Sequence, residues 1–260
     1  MNSVNPAGAN QTIDQTLKGQ TALVTGGARR VGAEIVRVLH GSGANLAIHC
    51  HHSQTEALAL AAELNSLRAR SAAVFVADLL QTESLAPLVK SVTAQFAGWN
   101  LLVNNASSFY PTPLAELTTE QWADLMGTNL KAPLFLAQAA GGELRRTQGS
   151  IINIVDIHGM RALHNYLVYS TAKAALIHLT KALARELAPQ VRVNGIAPGP
   201  VLWPETGLDE DQRQDIIDHT LLQRVGSPLD IARAVRFFAA EAPYVTGQIL
   251  AVDGGRSLRW

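Results

Sequence analysis

Residues 21–40 read TALVTGGARRVGAEIVRVLH, and the fold class follows from the pattern in this segment. Its first four residues form a short apolar run of the kind found in buried strands. Gly26 and Gly27 follow closely and indicate a tight turn. An apolar pattern with helical period then covers residues 31–40. The segment therefore predicts a strand, a glycine turn and a helix in direct succession.

The same alternation continues along the chain. Apolar strands that alternate with helices predict a parallel sheet covered on both faces. Right-handed crossovers then give a doubly wound arrangement. We predict an α/β fold, a single doubly wound Rossmann-type domain with a parallel sheet of about seven strands. The strands are expected at residues 21–24, 45–49, 72–77, 101–103, 151–155, 191–196 and 249–252, and the helices at 31–40, 55–67, 83–96, 119–139, 167–187 and 228–240.

The domain organisation follows from the absence of any Pro-rich, Ser-rich or like-charge linker in the sequence. We predict a flexible polar tail over residues 1–18 and one domain over residues 19–260. Residues 198–223 contain three prolines and an acidic patch at 209–211, and they follow a predicted strand. Because open α/β sheets bind ligands at the carboxyl ends of their strands, this segment is expected to be a substrate lid. An ordinary surface loop is the alternative.

Composition excludes several classes of protein. The 260 residues are 47% hydrophobic, enough for a sizeable core and too many for a disordered chain. The 21 basic and 21 acidic residues leave no net charge, so neither nucleic acid nor a membrane surface is an expected partner. The single cysteine, Cys50, excludes an intrachain disulfide and suits a reducing compartment. With no apolar signal segment at the polar start of the chain, a cytoplasmic location is expected.

The glycine turn is a candidate phosphate site. Gly26, Gly27 and Gly32 lie where the first strand turns into the first helix, so backbone N–H groups can bind a pyrophosphate there. Arg30 occupies a position where dinucleotide motifs often have glycine. Its guanidinium is expected to pair with phosphate or to reach the substrate. The alternative is a solvated residue at the start of a helix.

The end of the second strand indicates which cofactor is used. NAD-dependent enzymes usually place Asp or Glu there to bind the ribose hydroxyl. Residues 49–53 instead read HCHHS, without a carboxylate. Arg29, His51, His52 and Ser53 can donate hydrogen bonds to a 2′-phosphate, so the pattern favours NADPH. A metal site is the alternative for the histidines, but they have no carboxylate nearby and we predict none.

A candidate catalytic group lies in the predicted helix at 167–187. Tyr169 and Lys173 are four residues apart and therefore project from the same face. An ammonium close to a phenol is expected to lower the pKa of Tyr169 from about 10, so that it exchanges protons near neutral pH. Asp156 follows the strand predicted at 151–155, which directs its carboxylate toward the same pocket. The alternative role for Asp156 is a cap for the segment that follows.

Several motifs together resemble the landmarks of the short-chain dehydrogenase/reductase family, over residues 20–260. The resemblance implies that Tyr169 protonates the substrate, that Lys173 also binds the nicotinamide ribose, and that Asn129 supports a proton relay. It likewise implies that Asp78 contacts the adenine. The motifs are TGGARRVG at 25–32, Asp78, NNA at 104–106 (including Asn105 and Ala106), Asn129, YSTAK at 169–173, RVN at 192–194, and Pro198 with Gly199.

Three departures from the general family pattern indicate a particular branch. Asp156 stands where most members have Ser, and Arg30 and Ser107 stand where most have Gly. All three occur in the pteridine reductase branch, which the chain resembles most specifically in NNASSFYPTP at 104–113, and also in NIVD at 153–156 and DGGRSLR at 253–259. This resemblance implies NADPH-dependent reduction of a dihydropterin to a tetrahydropterin, with oxidised pterin or folate as further substrates. It also implies a homotetramer.

The chemistry of a pterin suits these residues. Its flat ring can stack on an aromatic side chain, for which Phe109 is the candidate, while Ser107 and Arg30 supply polar contacts to the ring edge or to the cofactor phosphates. Reduction of a carbon–nitrogen double bond needs a hydride on carbon and a proton on nitrogen, and Asp156 with Tyr169 can deliver the proton. The alternative for Phe109 is a core residue. The outer pocket is expected to include Leu163, Tyr166, Leu202 and Trp203.

The sequence differs at two positions from the pteridine reductases of parasites. Two other functions are alternatives to pterin reduction. His52 replaces an Arg of the phosphate cluster, which implies a pH-dependent contact with the 2′-phosphate. The resemblance also implies a terminal Arg that reaches the site of a neighbouring subunit, whereas here Arg259 lies one position earlier and Trp260 is the last residue. The closest alternative function is a generic carbonyl or 3-oxoacyl-thioester reductase, against which Asp156 counts. The other is a module that senses NADPH without turning over a substrate.

Overall fold

Seven strands form one parallel sheet in the computed structural model, which describes residues 15–203 and 209–259. Their order across the sheet is β3-β2-β1-β4-β5-β6-β7, with each neighbouring pair parallel. The predicted doubly wound fold is confirmed. The strands are β1 (Thr21–Val24), β2 (Asn45–Cys50), β3 (Ala72–Val76), β4 (Leu101–Asn104), β5 (Ser150–Ile154), β6 (Arg192–Pro198) and β7 (Ile249–Val252).

Helices cover both faces of this sheet. One apolar core contains buried residues of α1, α2 and α8, and a second contains buried residues of α3, α5 and α6. Because β1, β4 and β5 are buried along their whole length, they need apolar side chains on both faces. The helices are α1 (Arg30–Gly41), α2 (Gln54–Leu67), α3 (Leu85–Phe96), α4 (Thr119–Met126), α5 (Ala132–Arg146), α6 (Leu167–Leu187), α7 (Glu210–Asp218) and α8 (Pro228–Ala240), with a π-helical turn at Gly127–Lys131 between α4 and α5.

The order of the strands reverses between β1 and β4. The chain runs outward from β1 through β2 to β3, and then returns to build the other half from β4. Such a reversal opens a crevice at the carboxyl ends of the two central strands, where open α/β sheets bind their ligands. The residues that follow β1 and β4, from Thr25 and from Asn105 onward, therefore border this crevice.

The structure differs from the predicted elements in several places. The helix predicted at 119–139 consists of α4, the π-helical turn and the start of α5, because the backbone changes its hydrogen-bond spacing at Gly127–Lys131. The strand predicted at 191–196 is Arg192–Pro198. The predicted lid at 198–223 contains the helix α7, while residues 204–208 lie outside the described residues.

The start of the described chain packs against the domain. Leu17 is fully buried in the core that contains α1, and its N–H donates to Ser42 O over 2.8 Å. The packed part of the chain therefore begins before residue 19. Residues 1–14 of the predicted tail, and Trp260, lie outside the described residues. Within the described ranges, no helix combines the length and hydropathy that a membrane span requires.

Candidate active site

A cleft of about 970 Å³ opens at the carboxyl ends of the central strands. It is lined by every predicted site residue except Gly27 and Asn129, and also by Leu163, Tyr166, Leu202 and Trp203, which were expected in an outer pocket. The predicted site residues that line it are Gly26, Arg29, Arg30, Gly32, His51, His52, Ser53, Asp78, Asn105, Ala106, Ser107, Phe109, Asp156, Tyr169, Lys173, Pro198 and Gly199.

The glycine turn between β1 and α1 needs glycine for two reasons. Gly26 has a φ of +60°, a conformation that glycine adopts without strain. Gly32 lies so close to the turn that a Cβ atom there would be 2.1 Å from Gly26 O. The first turn of α1 therefore sits directly against the loop, with its backbone N–H groups at the cleft.

Thr25 and Asn105 connect the end of β1 to the end of β4. The hydroxyl of Thr25 accepts hydrogen bonds from the N–H groups of Asn105 (2.9 Å) and Ala106 (3.1 Å). The Asn105 side chain donates in return to the carbonyl oxygens of Thr25 (2.9 Å) and Gly26 (3.1 Å). These contacts fix the two halves of the cleft relative to each other.

His49 supports the glycine turn, a role that the sequence did not reveal. Its Nδ1 accepts the N–H of Gly26 at 3.3 Å, so the proton is on Nε2, which lies 3.1 Å from Ala77 O and donates to it. Burial lowers the pKa of His49 to about 4 and keeps the ring neutral. His49 therefore links the turn, β2 and the end of β3. In the sequence, the indication of this role was the position of His49 within a predicted strand.

Four potential donors surround the end of β2. The rings of His51 and His52 are 3.7 Å apart at an angle of 32°, and both side chains are exposed. Ser53 precedes α2, and Arg29 approaches Glu56 at 3.9 Å across the half-exposed mouth of the cleft. The described residues contain no cluster of three His, Cys, Asp or Glu side chains able to bind a metal ion. This end of the cleft suits a phosphate group.

Asp156 and Tyr169 are in direct contact. The hydroxyl of Tyr169 donates to Asp156 Oδ2 over 2.7 Å, and the N–H of His158 donates to Asp156 Oδ1 over 2.8 Å. Tyr169 is only 4% exposed. Burial and the Asp156 carboxylate together raise the pKa of Tyr169 well above its usual value, so the phenol keeps its proton and acts as a donor.

The pKa of Tyr169 therefore lies above its usual value, the reverse of the fall predicted from its four-residue spacing to Lys173. Lys173 does share a helix face with Tyr169, and its Nζ is 5.6 Å from the centre of the ring. The ammonium instead donates to Ile154 O at 3.0 Å, and burial lowers its own pKa to about 8. The loss of hydration around the phenol and the nearby carboxylate outweigh the attraction that the spacing had suggested.

Asn129 lies behind the cleft, in the π-helical turn, and is fully buried. Its side-chain nitrogen donates to Ser108 O (3.0 Å) and Leu125 O (2.9 Å), and its oxygen accepts the hydroxyl of Ser107 at 2.6 Å. π-Helical turns often occur at functional sites. Through these bonds Asn129 holds Ser107 and Ser108, which do line the cleft.

Phe109 forms part of the cleft wall. It is 43% exposed, which contradicts the alternative of a core residue. Its ring stacks on Tyr166 at 4.6 Å and 18°, and it meets Tyr169 edge to face at 4.7 Å. The Phe109 ring therefore lies against the ring of Tyr169, whose hydroxyl donates to Asp156.

Two arginines contact the segment that follows β6. Arg30 has a φ of +53°, and its guanidinium donates to Trp203 O at 3.0 Å. Arg256, which the sequence did not single out as a site residue, donates to Ile216 O of α7 at 2.9 Å. Both arginines line the cleft. In the sequence, the motif DGGRSLR at 253–259 was the indication that Arg256 belongs to the site.

The chain resembles proteins of known structure and activity along nearly its whole length. Residues 26–257 match the model of a family described as Enoyl-(Acyl carrier protein) reductase. The chain is 37% identical to pteridine reductase 1 of Leishmania tarentolae, with 91% of this chain and 96% of the relative covered. It is 36% identical to the 3-oxoacyl-(acyl-carrier-protein) reductase FabG of Vibrio cholerae, covering 92% of this chain and 98% of the relative.

A solved structure gives a similar result for the fold. The crystal structure of a blue fluorescent protein from a metagenomic library, in complex with NADPH, superimposes with a TM-score of 0.87. It is 34% identical and covers 93% of this chain and 99% of its own. Relatives with two different activities are thus similarly close in sequence, and the choice between those activities depends on individual residues of the cleft.

Proposed function

The chain belongs to the short-chain dehydrogenase/reductase family, and from this we propose that it is an NADPH-dependent reductase of pterins. The proposed reaction converts a dihydropterin to a tetrahydropterin, with oxidised pterin or folate as further substrates. The observation that carries this proposal is the hydrogen bond of 2.7 Å between Tyr169 and the carboxylate of Asp156.

The chemistry of the cleft supports NADPH as the cofactor. The glycine turn presents backbone N–H groups at the start of α1, where a Cβ on Gly32 would collide with the loop. Arg29, His51, His52 and Ser53 offer donors for a 2′-phosphate at the end of β2. In this proposal Lys173 binds the nicotinamide ribose and Asp78 contacts the adenine. Bound NADPH supplies the hydride.

Asp156 and Tyr169 supply the proton in this proposal. The Asp156 carboxylate accepts a hydrogen bond from the Tyr169 phenol, so a proton can pass between the two groups. This role does not require Asp156 to donate a hydrogen bond to a carbonyl oxygen. Reduction of a carbon–nitrogen double bond needs a proton on nitrogen, and Tyr169 keeps its hydroxyl proton at neutral pH. Lys173 adds positive charge beside the phenol and offsets the negative charge that proton transfer would leave.

Phe109 and Ser107 support a flat, polar-edged substrate. The exposed part of the Phe109 ring offers an apolar surface beside Tyr169, on which a pterin can stack. Ser107 donates its hydroxyl to Asn129, and Ser107 and Arg30 both line the cleft. These groups can bind the edge of the ring or the cofactor phosphates.

Reduction of a 3-oxoacyl thioester is the second candidate, and the relatives with that activity favour it. A ketone substrate needs a hydrogen-bond donor on its oxygen besides the tyrosine. Asp156 is an acceptor in the structure, since both of its oxygens receive hydrogen bonds. The residue thus supports the pterin over the ketone. A cytoplasmic homotetramer is the assembly and location that we propose for the enzyme.

The substitution Asp156→Ser tests the proposal. It removes the carboxylate from Tyr169, so turnover of a dihydropterin should fall about 100-fold or more, while turnover of a ketone should be kept or gained. Asp156→Asn keeps an acceptor for Tyr169 without the charge and should also be slow with the pterin. Unchanged NADPH binding serves as the control for folding. Full pterin turnover by Asp156→Ser would contradict the role given to Asp156.

A further inference from the structure

Phe109 lies between two residues whose hydroxyl groups meet the same carboxylate. Asp124, on α4, accepts the hydroxyl of Tyr110 on Oδ2 at 2.8 Å and the hydroxyl of Ser108 on Oδ1 at 3.2 Å. Thr128 Oγ1 lies 3.5 Å from the same Oδ1. One side chain thus holds the residue before Phe109 and the residue after it.

Phe109 needs such support because its own contacts are few. It leaves 43% of its surface exposed, and its aromatic contacts are with Tyr166 and Tyr169. The loop from β4 to α4 has no regular hydrogen bonding around residues 105–110. Without a fixed backbone on both sides, an exposed ring of this kind would sample several rotamers.

The contact of Asp124 with Tyr110, at 2.8 Å, is shorter than its contact with Ser108, at 3.2 Å, and is the stronger of the two. Hydrogen bonds to an ionised carboxylate are roughly twice as strong as those between neutral groups. Burial and the Asp124 carboxylate raise the pKa of Tyr110 to about 12, so its hydroxyl remains a donor throughout the range in which enzymes work. Asn129 adds a third point by donating to Ser108 O.

We propose that Asp124 is a positioning residue, which fixes Phe109 through Ser108 and Tyr110 and thereby determines how tightly the flat ring of the substrate binds. The inference rests on the proposed pterin reduction for the identity of that substrate. The hydrogen bonds of Asp124 with Ser108 and Tyr110, however, are present without any substrate. Asp124 acts on binding, because Phe109 stacks on the ring and takes no part in proton transfer.

The first experiment is a double-mutant cycle between Asp124→Ala and Phe109→Leu, with KM and kcat measured for a 7,8-dihydropterin. Asp124→Ala should raise KM about 10-fold and leave kcat within about two-fold, since ring binding is lost and the chemistry is not. In the Phe109→Leu background the same change should have little effect, because Asp124 acts through Phe109. An equal increase of KM in both backgrounds would overturn the proposal.

Two further variants guard against loss of folding. Asp124→Asn keeps one acceptor and should recover part of the affinity, while the pair Ser108→Ala with Tyr110→Phe should reproduce Asp124→Ala with the carboxylate still present. Glu120→Ala is the matched control, since Glu120 is an exposed carboxylate on the same helix. It should leave KM unchanged, and a change as large as that of Asp124→Ala would contradict the specific role.

A second measurement needs no substrate and separates this proposal from the proposed function. The chain has six phenylalanines, so incorporation of 4-fluorophenylalanine gives six fluorine signals, and Phe109→Leu identifies that of Phe109. Asp124→Ala should shift or broaden this signal, and Glu120→Ala should not. An unchanged signal would overturn the positioning role of Asp124. Absence of pterin turnover by the wild type with a shifted signal would reject only the proposed substrate.

Discussion

Arg30 combines an unfavourable backbone conformation with a side chain that crosses the cleft. Its φ of +53° lies in the left-handed region, which costs a residue other than glycine about 1 kcal/mol. Its guanidinium donates to Trp203 O in the segment that follows β6. Strain of this kind persists where function needs the side chain. We therefore expect Arg30 to favour binding at the expense of stability.

The substitution Arg30→Gly should separate these two effects. It should raise the free energy of unfolding by about 1 kcal/mol, because glycine adopts this φ without strain, and raise the KM for substrate or NADPH about 10-fold. Arg70→Gly is the matched control, with a φ of +58° at an exposed position. Chemical denaturation and steady-state kinetics check both. An unchanged KM for Arg30→Gly would show that the side chain has no part in binding.

The sequence predicts some residues of this site and not the roles of others. Tyr169, Lys173 and Asp156 follow from motif and spacing, because a four-residue interval fixes a shared helix face. The direction in which the pKa of Tyr169 shifts does not follow from the sequence, since it depends on burial and on the contact with Asp156. The support that His49 and Asp124 give is likewise a matter of tertiary contacts between segments distant in the chain.

At the scale of elements, the junction of β1 and α1 has the least tolerance for added atoms. A Cβ on Gly32 would lie 2.1 Å from Gly26 O and 2.6 Å from the side-chain nitrogen of Asn105. One methyl group would therefore push α1 away from the turn, and with it the N–H groups at the cleft. Gly41, at the other end of the same helix, has no atom within 4 Å of its would-be Cβ.

The pair Gly32→Ala and Gly41→Ala should show this difference. We expect Gly32→Ala to lose about 2 kcal/mol of stability and to bind NADPH at least about 10-fold more weakly, since a crowded position resists an extra group. Gly41→Ala should change neither value appreciably. Thermal unfolding and fluorescence titration with NADPH check both. Equal cofactor affinity for the two variants would contradict the role of close packing at the turn.

The elements differ in how well the sequence predicts them, for a physical reason. The central strands β1, β4 and β5 are mostly apolar runs that are buried along their whole length, so composition alone marks them, whereas the edge strands β3 and β7 are only partly buried. The helix α7 was not predicted, because EDQRQDIID has no apolar face and buries none of its residues. Its capping box of Asp209 and Gln212 was the local signal. The π-helical turn at Gly127–Lys131, which buries Gly127 and Asn129, was not predicted either.

At the scale of the whole molecule, buried histidines make the fold sensitive to acid. Burial lowers the pKa of His40, His49 and His158, that of His49 to about 4 from 6.5. Because each folded-state pKa lies below its unfolded value, the unfolded chain binds more protons as the pH falls. Stability is therefore complete above about pH 6.5 and declines as the pH falls toward 4.

His49 should account for much of this decline. Its shift predicts a loss of about 2 kcal/mol in the free energy of unfolding between pH 7 and pH 5. His49→Gln, which cannot take up a proton, should show a smaller decline over the same interval. Urea denaturation of both proteins at the two pH values checks this. A decline as steep in His49→Gln as in the wild type would mean that other groups govern the acid response.

The assembly of the cleft also belongs to the whole molecule. The glycine turn follows β1, His51, His52 and Ser53 follow β2, Phe109 follows β4, Asp156 follows β5, and residues 199–203 follow β6. Parallel strands with ends at one edge of the sheet bring these loops together. The choice between pterin and thioester therefore rests on a few loop residues carried by a fold that both kinds of relative share.

The most direct test is NADPH oxidation by the purified chain under anaerobic conditions, with a 7,8-dihydropterin, with an acetoacetyl thioester, and with the same pterin and NADH. Rapid turnover of the pterin with NADPH, slow turnover with NADH, and none of the thioester is the result that the proposed roles of Asp156 and Phe109 predict. Clear reduction of the thioester without turnover of the pterin would contradict them and identify a carbonyl reductase.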